Sequence, residues 1–358
     1  MKSIIQERLN AGEFVLIAEI GVNYYDIAAK LNISNMEAAK MMVLAAKNVG
    51  IHAVKFQTYK AETLAAKNSP SYWDTTEETT NSQFALFKKF DAFGLPEYRE
   101  LKEYCDQIGI EFCSTPFDFE SADYLNEFMD VYKISSSDLS NLPFIEHIAK
   151  KNKPIILSIG ASNLEEIQAA VDTIKANNDK KLTLLHCVLE YPTPYEHANL
   201  AKIATLKATF PDEFIGYSDH TKPDYSYNVI KTAYLLGAQV VEKHFTLDKK
   251  LPGNDHYHAM DPHDAEGILN EIKYVDMIKG NGDLVCLESE STARLNARRS
   301  VVTTKDIKKG ETITEDMLTF KRPGTGISPT KVNDIVGKVA LNDIEEDTIL
   351  QWTMLGDK

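Results

Sequence analysis

The chain has 358 residues, 43% of them hydrophobic, and carries 53 acidic against 39 basic side chains for a net charge of −14. That size and apolar content support one large domain plus a small one, while the acid excess leaves no basic stripe for nucleic acid or an anionic membrane surface. The first residues, MKSIIQERLNAGEF, are charged where a secretory leader is apolar, and no run approaches the ~20 apolar residues of a membrane span; a cytoplasmic location is expected. Cys105, Cys113, Cys187 and Cys286 lack C-x-x-C spacing and read as reduced thiols in small core positions.

From residue 14 onward, runs rich in Val, Ile and Leu alternate with amphipathic segments, as in repeated βα units around a parallel sheet. The predicted strands are FVLIAEIGVN (14–23), AVKFQTY (53–59), EFCSTPF (111–117), VYKISSSD (131–138), PIILSIG (154–160), LTLLHCVLEY (182–191), FIGYSDHT (214–221) and QVVEKHFTL (239–247). Between the first two, NMEAAKMMVLAAKNVG repeats its apolar residues at helical spacing and stops at Gly50. Eight such units predict a TIM (β/α)8 barrel over residues 1–283, with an open doubly wound sheet as the structural competitor. The connection over 60–95 is long enough for a lid or an interaction segment; the alternative is a surface excursion with its own helix at 82–90. A connector follows at 284–297, then a small β-rich module at 298–358. Within it DIKKGETITEDML (306–318) and DIEEDTILQWTML (343–355) share their first two and last two residues, which suggests two related turns. So small a module is expected to lean on another surface.

A barrel carries its active site at the carboxyl ends of its strands, and here those ends are polar. Alternation puts Ser218 and His220 on one face with Asp219 on the other, and Glu242 with His244 opposite Lys243. Two imidazoles ending neighbouring strands can converge on an exchangeable divalent ion; for either alone, a hydrogen-bonded structural role is the alternative. Lys55 and Lys133 interrupt apolar strands, where an unpaired ammonium is costly, and suit a phosphate or carboxylate ligand. The alternative pairs each with a strand carboxylate such as Glu19. Ser114, Thr115, the serines at 135–137 and Ser158 add hydroxyls for phosphate oxygens, and Glu19 and Asp138 are candidate acid/base groups. In GNDHYHAMD (253–261), His256 and His258 offer a second metal reading; the competing one has the segment wrapping a ligand, with Asp255 on its hydroxyls.

The ordered set IAEIGVN, VKFQTY, STPF, YKISSSD, ILSIGAS, LLHCVLEYPTPY, GYSDHT, EKHFT and KRPGTGISP resembles the sialic acid synthase family: N-acetylneuraminate synthases and their legionaminic and pseudaminic acid counterparts. The likeness spans nearly the whole chain, and the tail is similar to an antifreeze-like SAF domain. It implies condensation of phosphoenolpyruvate with an N-acetylmannosamine-type aldehyde sugar: the enol carbon attacks the aldehyde, water adds, and phosphate leaves with C–O cleavage. His220 and His244 would hold a divalent metal, manganese or else magnesium or cobalt, that polarises the aldehyde. Lys55 and Lys133, with Thr115, Ser136, Ser158 and Ser218, would bind phosphoenolpyruvate; Ser136 requires the backbone to bend after its strand. Glu19, Tyr191 and Asp255 would contact the sugar, and Asp138 would sit near the attacking water. Arg322 would reach the N-acetyl group from the partner subunit of a homodimer with exchanged C-terminal domains. The chain departs from the family pattern at Leu189, where a small polar residue is common, at Asp138, which replaces Glu, and at Tyr24, where His is frequent. The competing functions are another phosphoenolpyruvate-dependent aldose-phosphate synthase and a catalytically silent carbohydrate-binding protein.

Overall fold

The computed structural model describes residues 3–73, 75–76, 78–253 and 255–357, so Met1, Lys2, Asp74, Glu77, Asn254 and Lys358, which the sequence-based ranges include, lie outside the described residues. The chain divides into two units, Met1–Gly280 and Asn281–Lys358. In the first, β1 (Val15–Gly21), β2 (Ala53–Thr58), β3 (Glu111–Pro116), β4 (Tyr132–Ile134), β5 (Ile155–Ser158), β6 (Thr183–Cys187), β7 (Phe214–Asp219) and β8 (Val240–His244) form one sheet, ordered β3-β2-β1-β8-β7-β6-β5-β4. Its paired strands run parallel. Each strand neighbours its predecessor in the chain, and β1 pairs directly with β8 from Val15↔Val240 to Glu19↔His244. A doubly wound sheet reverses its order at a switch point; this one curls into a nearly closed TIM-type barrel, with β3 beside β4 at the seam.

The alternating pleat builds the barrel interior in two tiers. Val15, Ile17, Ala53, Ile156, Leu185 and Val240 form an apolar plug. Two residues further along the same strands stand Glu19, Lys55, Ser158, Cys187 and Glu242, all buried. The helix α1 (Ile4–Asn10) adds Ile5 and Leu9 to the plug. Glu111, the first residue of β3, accepts the Ile5 N–H and the Ser3 hydroxyl, each at 2.7 Å, and fastens α1 across the amino-terminal end. On the outer face Leu16, Ala18, Val54 and Phe56 pack against helices such as Asn35–Asn48, which is started by a Ser34–Glu37 capping box and ends before Gly50. Among the described residues no helix is long and apolar enough to cross a membrane.

Several strands are shorter than their hydrophobic patterns. The run at 182–191 leaves the ladder after Cys187 and that at 131–138 after Ile134, where Ser136–Asp138 forms a 3-10 turn. These polar tails are the walls of the barrel mouth. The connection after β2 holds short helices at Ala61–Leu64 and Gln83–Lys89, the second opened by the Ser82 hydroxyl.

The second unit pairs β9 (Ser300–Thr303) with β10 (Leu318–Lys321) and β11 (Val339–Ala340) with β12 (Leu355–Gly356), all antiparallel, around Val301, Ile307, Ile313, Ile335, Ile344 and Leu350. The two similar stretches face each other: Ile307 and Ile344 exchange both backbone hydrogen bonds at 2.8 Å. Four residues after each leading aspartate, Gly310 (φ 85°) and Asp347 (φ 64°) take the same left-handed turn. Three of the cysteines are buried as expected, but Cys286 is exposed, because the connector around it packs no core.

Candidate active site

Strand ends bring the polar tier together in a cavity of about 390 Å³. Lys55 forms an ion pair with Glu19, lies 3.8 Å from Glu242, and donates to Thr115 at 3.1 Å. Lys133 is 3.4 Å from the other Glu242 oxygen, which also accepts from Ser218 at 3.0 Å. Both lysines therefore have strand carboxylates as partners, and their formal charges cancel. Burial alone would discharge all four groups. It prevails at Lys133, whose pKa is lowered, and at Glu19, whose pKa is raised; at Lys55 the two carboxylates outweigh it and raise the pKa, and at Glu242 the two ammonium groups outweigh it and lower the pKa.

Hydroxyls surround this network. The chain does bend after β4: the Ser136 side chain accepts the Gly160 N–H at 2.8 Å and lines the cavity. A Cβ at Gly160 would stand 3.0 Å from that oxygen and from Leu189, so glycine permits the approach. Ser158 points a buried hydroxyl with no protein partner into the same space. Asp138 lies in the 3-10 turn with burial raising its pKa to about 6, but it is not among the residues lining the cavity.

Beside this half stand the imidazoles. His220 follows β7 by one residue, and its Nδ1 meets the Val188 carbonyl at 2.7 Å. A carbonyl only accepts, so Nδ1 carries the proton and Nε2 keeps its lone pair. His244 ends β8 with its Nδ1 buried, lacking a hydrogen bond, and 3.8 Å from Asp255. The two ring centroids are 5.5 Å apart, within the roughly 6 Å that imidazoles sharing one ion span at metal–nitrogen bonds near 2.1 Å. Burial lowers the pKa of both rings, to about 4 at His220, so each presents a neutral ligand. The orphaned His244 nitrogen beside a carboxylate fits a divalent cation. In the second metal motif the two histidines part ways: His256 bonds Thr246 at 2.8 Å and Asp26 at 3.0 Å, whereas His258 packs 4.8 Å from His244.

A larger cavity of about 760 Å³ adjoins the first, sharing Gln57, Tyr191 and His244 with it. Its wall is aromatic, from Tyr59, Tyr72, Trp73, Phe87 and Phe90, and its polar groups include Asp26 and Asp255. Burial raises the Asp255 pKa to about 6. The tyrosine at 24 packs in the core against Phe93, at 4.8 Å between ring centroids. Arg322 belongs to the second unit and is exposed. Sequence reasoning gave Glu242 only a face, and its place between two lysines went unnoticed. The signal was available, since Glu242 shares its strand face with His244 and follows an apolar run as Lys55 and Lys133 do.

A barrel whose carboxyl end gathers buried lysines, hydroxyls and imidazoles beside an aromatic pocket has the layout of a TIM-barrel enzyme. The chain belongs to the NeuB family, which it matches over residues 42–284, and carries a SAF domain over 298–356. It is 38% identical to the N,N'-diacetyllegionaminic acid synthase of Campylobacter jejuni, covering 94% of this chain and 98% of that protein. With the Legionella pneumophila protein of the same description it is 36% identical, covering 94% and 93%. The crystal structure of N-acetylneuraminic acid (sialic acid) synthetase from Leptospira borgpetersenii, in complex with citrate, superposes with a TM-score of 0.68 at 31% identity, covering 78% of this chain and 90% of that one. Family members are metal-dependent sialic-acid-type synthases that condense phosphoenolpyruvate with a sugar.

Proposed function

We propose that this nonulosonic acid synthase takes as acceptor a di-N-acetylated 6-deoxy sugar aldehyde of the mannose series, and that it does so as a cytoplasmic homodimer. The observation that carries the reading is the two-part cavity: an anion-binding half of buried ammonium groups and hydroxyls meets an aromatic half at Tyr191 and His244. Aromatic faces suit the methyl groups of two acetamido substituents and a deoxygenated C6. The two relatives described as N,N'-diacetyllegionaminic acid synthases support the same choice.

In this reading the phosphoenolpyruvate phosphate and carboxylate take over from Glu19 and Glu242 as partners of Lys55 and Lys133, with Thr115, Ser136, Ser158 and Ser218 on the remaining oxygens. His220 and His244 hold the divalent ion, manganese by preference, which when bound supplies Lewis-acid polarisation of the acceptor aldehyde. Tyr191 and Asp255 orient the sugar, and Glu19, its pKa raised by burial and its position held by Gln57 at 2.8 Å, exchanges a proton with the acceptor oxygen. Asp138 serves from outside the cavity lining, through a water. Arg322 comes from the partner subunit's exchanged tail. The exposed apolar side chains of the connector, Leu284, Val285 and Leu287, support such an exchange, since they need a surface to cover them. The barrel domain is taken as 1–283, the linker as 284–297 and the SAF domain as 298–358.

The test is phosphate release from phosphoenolpyruvate with a panel of acetamido sugars, in manganese and then in EDTA. We expect turnover that EDTA removes and manganese restores, fastest with the diacetamido 6-deoxy acceptor. A preference for plain N-acetylmannosamine overturns the acceptor assignment, and no turnover on any aldehyde overturns the reading as a whole.

A further inference from the structure

His258 is fully buried, yet neither of its ring nitrogens has a hydrogen-bond partner. A neutral imidazole has one donor and one acceptor in either tautomer, and burying both unmet is costly. Its placement follows from the backbone. Met260 N–H bonds the His244 carbonyl at 2.8 Å and Thr246 N–H bonds the Met260 carbonyl at 3.0 Å, stitching the segment to the end of β8. His256, tied to Thr246 and Asp26, anchors it from the other side. The His258 ring is thereby held 4.8 Å from that of His244 and 6.3 Å from that of His220. One ligand atom from each of His244, Asp255 and His258 lies within 4.8 Å of the others. Donor atoms bound to one ion at 2.0–2.2 Å stand about 3 to 4.4 Å apart, close to that spacing.

We propose that His258 is a third imidazole at the divalent ion, forming with His244 and Asp255 a two-histidine, one-carboxylate set beside His220, whose ring stands 5.5 Å from that of His244. The inference rests on the metal-dependent synthase reading and enlarges its metal site. One of the two unmet nitrogens of His258 and the unmet Nδ1 of His244 then have a use. An added imidazole in place of an oxygen ligand shifts preference from magnesium toward later divalent ions such as cobalt.

The test is Mn2+ titration of the metal-free, full-length protein by EPR, with directly coordinated nitrogens counted by pulsed EPR. The wild type should show three imidazole nitrogens. His258→Ala should show two and bind Mn2+ at least about tenfold more weakly, while His256→Gln keeps three. His258→Gln serves if the alanine variant does not fold, and the wild-type nitrogen count needs no variant. Two coordinated nitrogens in the wild type, or unchanged Mn2+ affinity in the His258 variants while His220→Ala and His244→Ala lose the ion, overturns this inference alone. No binding of Mn2+ or Co2+ by the wild type overturns the metal-site reading beneath it.

Discussion

Lys133 on β4 and Glu242 on β8 face each other across the barrel, four strands apart in the ring, with ammonium and carboxylate 3.4 Å apart. Glu242 is also 3.8 Å from Lys55, so one carboxylate is shared between two buried lysines. Removing one member of a buried charge network costs about 3 to 5 kcal/mol, because it strands the partner. Glu242→Gln should therefore lower the thermal midpoint of the free enzyme, and phosphoenolpyruvate should raise that midpoint more in the variant than in the wild type. Thermal unfolding with and without the ligand measures this; an equal ligand-induced rise in both proteins contradicts it.

Phe87 stands edge-on to Tyr59, 5.3 Å between ring centroids, in the aromatic half of the cavity. Phe87→Ala should raise the KM for the sugar roughly tenfold and leave the KM for phosphoenolpyruvate unchanged, since no part of that ring reaches the lysine half. Steady-state kinetics with each substrate varied in turn separates the two.

Glu111 at the closed end of the barrel predicts a pH dependence of stability. Burial raises its pKa from 4.5 to about 7 in spite of the bonds from Ile5 and Ser3. The folded state thus holds a proton that the unfolded chain has lost between those values, and stability falls as pH rises from about 4.5 to about 7. The full change is about 3 kcal/mol. Glu111→Gln should flatten that slope, read as urea midpoints at pH 5 and pH 8; an unaltered slope refutes the assignment.

Arg322 gives the test of tail exchange. Arg322→Ala and Lys133→Met homodimers should each be nearly inactive. Mixed dimers should recover one working site, because the intact barrel of one chain receives the intact tail of the other. Phosphate release after co-refolding measures it, and no recovery rules the exchange out.

The barrel was legible because its signal is local. Each strand is an apolar run, and parallel strands covered on both faces need no more than that. Strand ends were harder to place: 131–138 and 182–191 keep a strand-like composition after the ladder stops at Ile134 and Cys187. Faces came out correctly from alternation, since Asp219 does turn away from Ser218 and bonds Lys243 at 2.6 Å. What period-2 reasoning could not reveal was pairing across the ring. Glu242 and Lys133 are more than a hundred residues apart, and only closure of the barrel joins them. The same limit hid the difference between His256 and His258, since His256 is engaged by Asp26 from a distant element as well as by nearby Thr246.

The two halves of the cavity have different origins in the chain. The lysine half draws its side chains from all eight strands, so altering it disturbs the barrel itself. Most of the aromatic wall, by contrast, comes from one excursion between β2 and the helix that precedes β3. On the proposed function, sugar choice is thereby insulated from the bond-forming machinery: a graft of that single excursion between relatives should retune which carbohydrate is taken while the phosphate-releasing chemistry stays as it was.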